Sequence, residues 1–182
     1  MLKTLENDYW YVLYVRSRQE RKVHDFLIEN GIESFLPVIK SISQWSDRKK
    51  IISKPLFPSY VFVKINMLKD RYKPLSADGA CDYIRFGSQY ARVKEKEIHN
   101  IRLFLQSGEV SDIKTTNEVF ETGTIKKINF GVLNGLECEI LRINNENKAL
   151  VRLESLHQNI VATLPVSYFN YAPETVLSNS FL

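Results

Sequence analysis

The stretch Leu56-Phe57-Pro58-Ser59-Tyr60-Val61-Phe62-Val63-Lys64-Ile65 decides how the rest of the chain is read. Side chains in a strand alternate between the two faces of a sheet. Val61, Val63 and Ile65 therefore share one face, and Tyr60, Phe62 and Lys64 share the other. The β-branched face reads as core. The aromatic face admits two readings. It is either an uncovered patch of the kind that marks a partner surface, or a second core layer under another helix, since continuous apolar runs also occur in strands buried on both faces.

Upstream, Tyr9 to Val15 (YWYVLYV) is a run of aromatic and β-branched residues that fits an interior strand. Ser17-Arg18-Gln19-Glu20 has the form of a capping box, which predicts a helix from Arg18 to Asn30. Val23, Phe26 and Leu27 form its core face, and Gly31 supplies a left-handed stop. Arg16, Arg18, Gln19, Arg21 and Lys22 gather at the helix start. Cations there oppose the helix dipole, so the cluster suggests contact with phosphate.

Downstream, Ile32 to Trp45 and Lys49 to Ser53 read as two strands joined by a turn at Ser46-Asp47-Arg48, with Trp45, Lys49, Lys50 and Lys54 near its tip. Met67 to Ala77 reads as a helix interrupted or delayed by Pro74. Cys81 to Phe86 reads as a strand ending at Gly87, and Val93 to Gln106 as a helix with an apolar face that includes Ile98, Ile101 and Phe104. The order is that of a ferredoxin-like α+β domain with an added hairpin and a closing helix, over residues 1–107. Residues 108–117 are polar and read as a linker. From residue 118 to 172, short strands alternate with Gly and Asn turns: Gly123–Ile128, Leu136–Ile143, Ala149–Leu156 and Ile160–Leu164. This predicts a small all-β barrel of SH3-like type, with Gly131 and Gly135 bracketing a tight loop. Residues 173–182 read as a tail.

Charge divides along the same boundary. Residues 1–107 hold 19 of the 25 Lys and Arg against 12 of the 21 Asp and Glu, a balance of +7; residues 108–182 hold 6 against 9, a balance of −3. The asymmetry suggests that the N-terminal part meets a polyanion. Cys81 and Cys138 stand alone, and His24, His99 and His157 have no ligand spacing, so neither a metal nor a cofactor is expected. No Gly-rich phosphate loop and no grouping of acid, base and nucleophile is present, which argues against an enzyme. No apolar run approaches the roughly 20 residues that span a bilayer. Met1 to Asp8 lacks an export pattern, so a cytoplasmic protein is expected, and a monomer is expected as well.

Taken together, these motifs resemble the NusG family of transcription elongation factors. Trp10-Tyr11-Val12-Leu13-Tyr14 with the basic helix start resembles the opening of the family's N-terminal (NGN) domain. Phe57-Pro58-Ser59-Tyr60-Val61-Phe62-Val63 resembles its central strand in the form found in specialised RfaH-type members. Gly123-Thr124-Ile125 to Glu139 resembles the KOW motif, and Arg152 to Val166 resembles the barrel end of UpxY-type antiterminators. The resemblance implies an NGN domain that binds the β′ clamp helices of RNA polymerase through an apolar surface, here Phe57, Tyr60, Phe62, Ile84 and Phe86. It implies a second contact, to the β gate loop, near Arg71 and Tyr72. It also implies non-template DNA contact through Arg16, Arg18, Gln19, Arg21 and Lys22, and a KOW domain that recruits a ribosomal protein or Rho. The implied function is transcription antitermination that suppresses pausing and termination on particular long operons, such as those for polysaccharide biosynthesis. A housekeeping elongation factor and a ribosome-associated RNA-binding SH3-like module are the alternatives.

Overall fold

The structure, a computed structural model, describes residues 8–44, 49–108, 110–118, 123–129, 131–143, 146–165 and 167–170. The expected turn at 46–48, Trp45 beside it and the tail at 173–182 lie outside these residues. The N-terminal part runs β1 (Tyr9–Val15), α1 (Glu20–Glu29), β2 (Glu33–Phe35), β3 (Val38–Gln44), β4 (Lys49–Pro55), β5 (Tyr60–Ile65), α2 (Tyr72–Leu75), β6 (Ala80–Tyr83), β7 (Arg85–Phe86), β8 (Gln89–Tyr90), β9 (Arg92–Val93) and α3 (Glu95–Gln106). Strands β2, β5, β1 and β6 form an antiparallel sheet in that order, and β9 also pairs with β1. Separate two-stranded ribbons are made by β3 with β4 and by β7 with β8.

The register of β1 on β5 places Val12 opposite Phe62 and Leu13 opposite Val61. Alternation then builds two cores. Tyr11, Leu13, Val15, Val61, Val63 and Ile65 meet Val23 and Leu27 of α1. On the other face Trp10, Val12, Phe57 and Phe62 join Ile98, Ile101 and Phe104 of α3. This corrects the expectation of an open aromatic face at two of its residues. Phe57 is 2% exposed and Phe62 is fully buried, each ring packed edge-on to the other with centroids 5.5 Å apart. The physical reason is a core cluster in which the apolar stripe of α3 joins Leu133, Leu136, Val151 and Leu156 of the C-terminal part; strand periodicity cannot report what lies above a face. The indole of Trp10 is anchored too, its Nε1–H donating to Glu95 Oε2 at 2.9 Å.

Other departures from the sequence reading are local. Helix α1 starts at Glu20, and the capping box does not form. Arg18 adopts φ 66°, and the Glu20 carboxylate instead accepts the Ser59 backbone N–H at 2.8 Å. The helix does end at Gly31 (φ 70°), where the amides of Gly31 and Ile32 bond the carbonyls of Ile28 and Leu27. The segment after Met67 begins as turns capped by the Asn66 side chain, so only Tyr72–Leu75 is helical.

The C-terminal part comprises β10 (Ser111–Thr116), β11 (Thr124–Lys127), a 3-10 turn (Gly131–Leu133), β12 (Glu137–Ile143), β13 (Glu146–Leu153), a second 3-10 turn (Glu154–Leu156), β14 (Gln158–Thr163) and α4 (Ser167–Asn170). The strands form one antiparallel sheet in the order β10-β14-β13-β12-β11. Residues 111–116, expected to be linker, therefore belong to this sheet. Thr115 pairs with Ile160 and Thr116 with Asn159. An edge strand is held by backbone hydrogen bonds, so it needs little apolar patterning to form. Ala149, Leu150 and Val151 are consecutive and all buried, so β13 is covered on both faces.

A nearly buried carboxylate ties this sheet together. Glu139 accepts from Arg152 Nε at 2.5 Å and Nη2 at 2.9 Å, and from the Gly123 N–H at 3.2 Å. The Arg152 guanidinium holds the Glu139 carboxyl below the usual Glu range. A lowered folded-state pKa gives stability that is complete above the ordinary value of about 4.3 and is lost as pH falls through the folded value. Thermal melts of wild type and Glu139→Gln between neutral pH and acid should therefore differ at neutrality and converge at the acid end.

Candidate functional site

At one end of the sheet an aromatic edge is left partly exposed. Tyr14 is 45% exposed, Phe86 is 40% exposed, and Tyr60 and Ile84 are half-buried. Tyr14 and Tyr60 face one another across β1 and β5, rings edge-on at 6.4 Å. The edge exists because β5 enters through a tight turn at Ser59, whose φ of 64° is held by Glu20 and by a bond from the Val15 N–H to the Ser59 carbonyl. These residues line one wall of a cleft of about 550 Å³. The opposite wall is C-terminal: Asn117, Leu156, His157 and Gln158. The His157 ring stacks on Phe86 at 4.2 Å and 10°.

A polar contact between the two parts of the chain lies at the start of α3. The buried Glu97 carboxylate accepts the Lys94 N–H at 2.9 Å, the Ser155 N–H at 3.2 Å and the Ser155 hydroxyl at 2.5 Å. Around it Lys94 pairs with Glu154, and Lys96 with Glu137. The ammonium of Lys94 keeps the Glu154 carboxyl below the usual range, and Lys96 does the same for Glu137.

At the start of α1 the structure exposes Arg16, Arg18, Arg21 and Lys22, while Gln19 is half-buried against Gly79. Asp78, absent from the sequence reading, stands among the cations, with Lys22 Nζ at 2.5 Å and Arg16 Nη1 at 3.9 Å. On another part of the domain, Arg71 lies with its guanidinium about the same distance from two rings, 5.4 Å from Tyr72 and 5.5 Å from Tyr90. The Tyr83 hydroxyl donates to the Arg71 carbonyl at 2.9 Å, and Tyr72 is 74% exposed. Gly131 and Gly135 take φ of 63° and 90° at either end of the first 3-10 turn of the C-terminal sheet. A side chain at Gly131 would meet the Tyr168 hydroxyl at 2.9 Å.

The structure thus gathers Tyr60, Ile84 and Phe86 at one edge and removes Phe57 and Phe62 to the core beneath it. Sequence reasoning missed Tyr14, Asp78, Glu97, Ser155 and His157. Only Tyr14 left a signal, since it alternates onto the Trp10 and Val12 face of β1. Burial pushes the Cys138 thiol up to about 12, so it is a core group. Among the described residues, no group of three or more His, Cys, Asp and Glu is placed to hold a metal, and no helix is long and apolar enough to cross a membrane.

A family model described as "Transcription termination factor nusG" matches residues 8–102, just over half of the chain. The "Transcription termination/antitermination protein NusG" of Rickettsia bellii (strain RML369-C) is 23% identical over 151 residues, covering 78% of this chain and 77% of that protein. A solved structure described as "Domain interaction in Thermotoga maritima NusG" is similar with a TM-score of 0.46 and 24% identity, over 86% of this chain and 93% of that one. Another, "Crystal Structure of MjSpt4:Spt5 complex conformation A", has a TM-score of 0.29 and 16% identity, over 87% and 94% of the two chains. The family match takes in both layers of the N-terminal sheet and most of α3, and on that match the chain belongs to the NusG family of transcription elongation and termination factors, which are not enzymes.

Proposed function

We propose that the chain is a specialised antiterminator of the RfaH/UpxY kind. Its N-terminal sheet and helices serve as the NGN domain, and strands β10 to β14 as the KOW domain. The NGN domain binds the β′ clamp helices of RNA polymerase in the cytoplasm, with a second contact to the β gate loop through Arg71 and Tyr72. The complex resists pausing and termination on particular long operons, such as those for polysaccharide biosynthesis. The observation that carries this reading is the open aromatic edge of Tyr14, Tyr60, Ile84 and Phe86 in a NusG-family domain. Aromatic residues are enriched in interface cores because they bury much area at little entropic cost. Phe57 and Phe62 support that edge from beneath.

His157 and Leu156 occupy the same edge, so the polymerase and the C-terminal sheet compete for it. The basic start of α1 meets the exposed non-template strand, with Arg16, Arg18, Arg21 and Lys22 supplying the salt-dependent phosphate attraction and Gln19 beside them. The KOW domain, including the Gly131–Gly135 turn, remains available for a ribosomal protein or Rho.

The test is recovery of RNA polymerase by the tagged full chain. Tyr60→Ala combined with Phe86→Ala should reduce recovery at least tenfold, in line with the loss of two buried anchors at about 1–2 kcal/mol each. Undiminished recovery would remove the proposed surface.

A further inference from the structure

The acidic residue inside the basic cluster is not accounted for by phosphate binding. Asp78 is mostly solvent-exposed, and so are its partners Lys22 and Arg16. An exposed ion pair of this kind contributes little to folding. Yet its placement is built into the backbone. The Arg16 N–H donates to the Gly79 carbonyl at 2.8 Å. Gly79 has φ 99°, and a Cβ there would stand 2.9 Å from the Gln19 Cβ. The loop before β6 therefore lies flush against the start of α1 and carries Asp78 to the cations. The Lys22 ammonium holds the Asp78 carboxyl below the usual Asp range, so it is ionised at neutral pH.

We propose that Asp78 is a specificity-determining residue of this surface: it restrains Arg16 and Lys22 from indiscriminate phosphate contact and favours single strands whose bases present amino groups. The inference rests on the nucleic-acid reading of the α1 start given above. Three charged groups in contact, two positive and one negative, attract a strand with one net charge instead of two. The carboxylate also repels phosphate directly. It only accepts hydrogen bonds, so the base edges it can bind are those with donors, the amino group of cytosine among them. Thymine has no exocyclic amino group and offers a carboxylate only its ring N3–H. The arrangement lowers affinity for any strand and leaves a larger share of binding to the bases.

Anisotropy titrations of the full chain with labelled oligo(dC) and oligo(dT) of equal length, over a range of salt, test this. Wild type should bind oligo(dC) about three- to tenfold tighter than oligo(dT), the discrimination expected of one good hydrogen-bonded contact. Asp78→Asn keeps the shape and removes the charge. It should bind oligo(dT) more tightly and bring the ratio close to one. Its salt slope should steepen by roughly 0.7 for each phosphate newly contacted. If Asp78→Asn keeps the wild-type affinity, slope and ratio while Arg16→Ala with Lys22→Ala weakens binding, the role of Asp78 is refuted and the nucleic-acid surface stands. If the double alanine variant also binds like wild type, the surface itself is refuted, and the role of Asp78 with it.

Discussion

Phe62→Ala should destabilise the protein by about 3–5 kcal/mol, the usual cost of emptying a fully buried aromatic site. Phe62 is sealed between the sheet and α3, with Phe57 and Phe35 rings at 5.5 and 6.0 Å. The ring's neighbours sit on three separate elements, β2, the turn before β5 and α3, so the cavity cannot collapse by one small shift. In urea melts the midpoint should fall sharply with little change in slope. Tyr60→Ala, two register positions away on the same face and towards the open edge, should cost far less. The pair of variants separates core from surface on a single strand. A Phe62→Ala protein that melts like wild type but no longer recovers polymerase would mean that this face is open after all.

The second large effect is expected at Glu97. This carboxylate is 6% exposed and accepts two backbone N–H groups and one hydroxyl. Glu97→Ala leaves the Ser155 and Lys94 amides without their acceptor, and hydrogen bonds to a charged group contribute about 1.5–3 kcal/mol. The loss falls on the junction of the two sheets, since the neighbouring Lys94–Glu154 and Lys96–Glu137 pairs are exposed and contribute less. A double-mutant cycle of Glu97→Ala with Ser155→Ala should show strong coupling in thermal melts, whereas additive effects would mean that the contact is not made. Because His157 stacks on Phe86, loosening this junction should also raise polymerase recovery.

How much of this was readable in the chain depends on the range of the interaction concerned. Strand β5 and its two faces were legible, because alternation is a local property of the backbone. So were the helix stop at Gly31 and the segments of the C-terminal sheet, which depend on turn residues next to them in sequence. The capping box at Ser17 failed because Glu20 found a partner 39 positions away, the Ser59 amide. Strand β10 was invisible because its pairing with β14 uses backbone groups that every residue carries.

The candidate site divides in the same way. Local patterning settled which residues alternate on β1 and β5, where cations gather and where the chain must turn. Three matters were left to the packing of distant segments: that the core around α3 buries Phe57 and Phe62 while Tyr60 stays only half-buried, that Asp78 is carried to Arg16 and Lys22, and that His157 comes to rest on Phe86. Burial is a relation between segments far apart in the chain, so a strand's own period says which side a ring faces and not whether anything covers it.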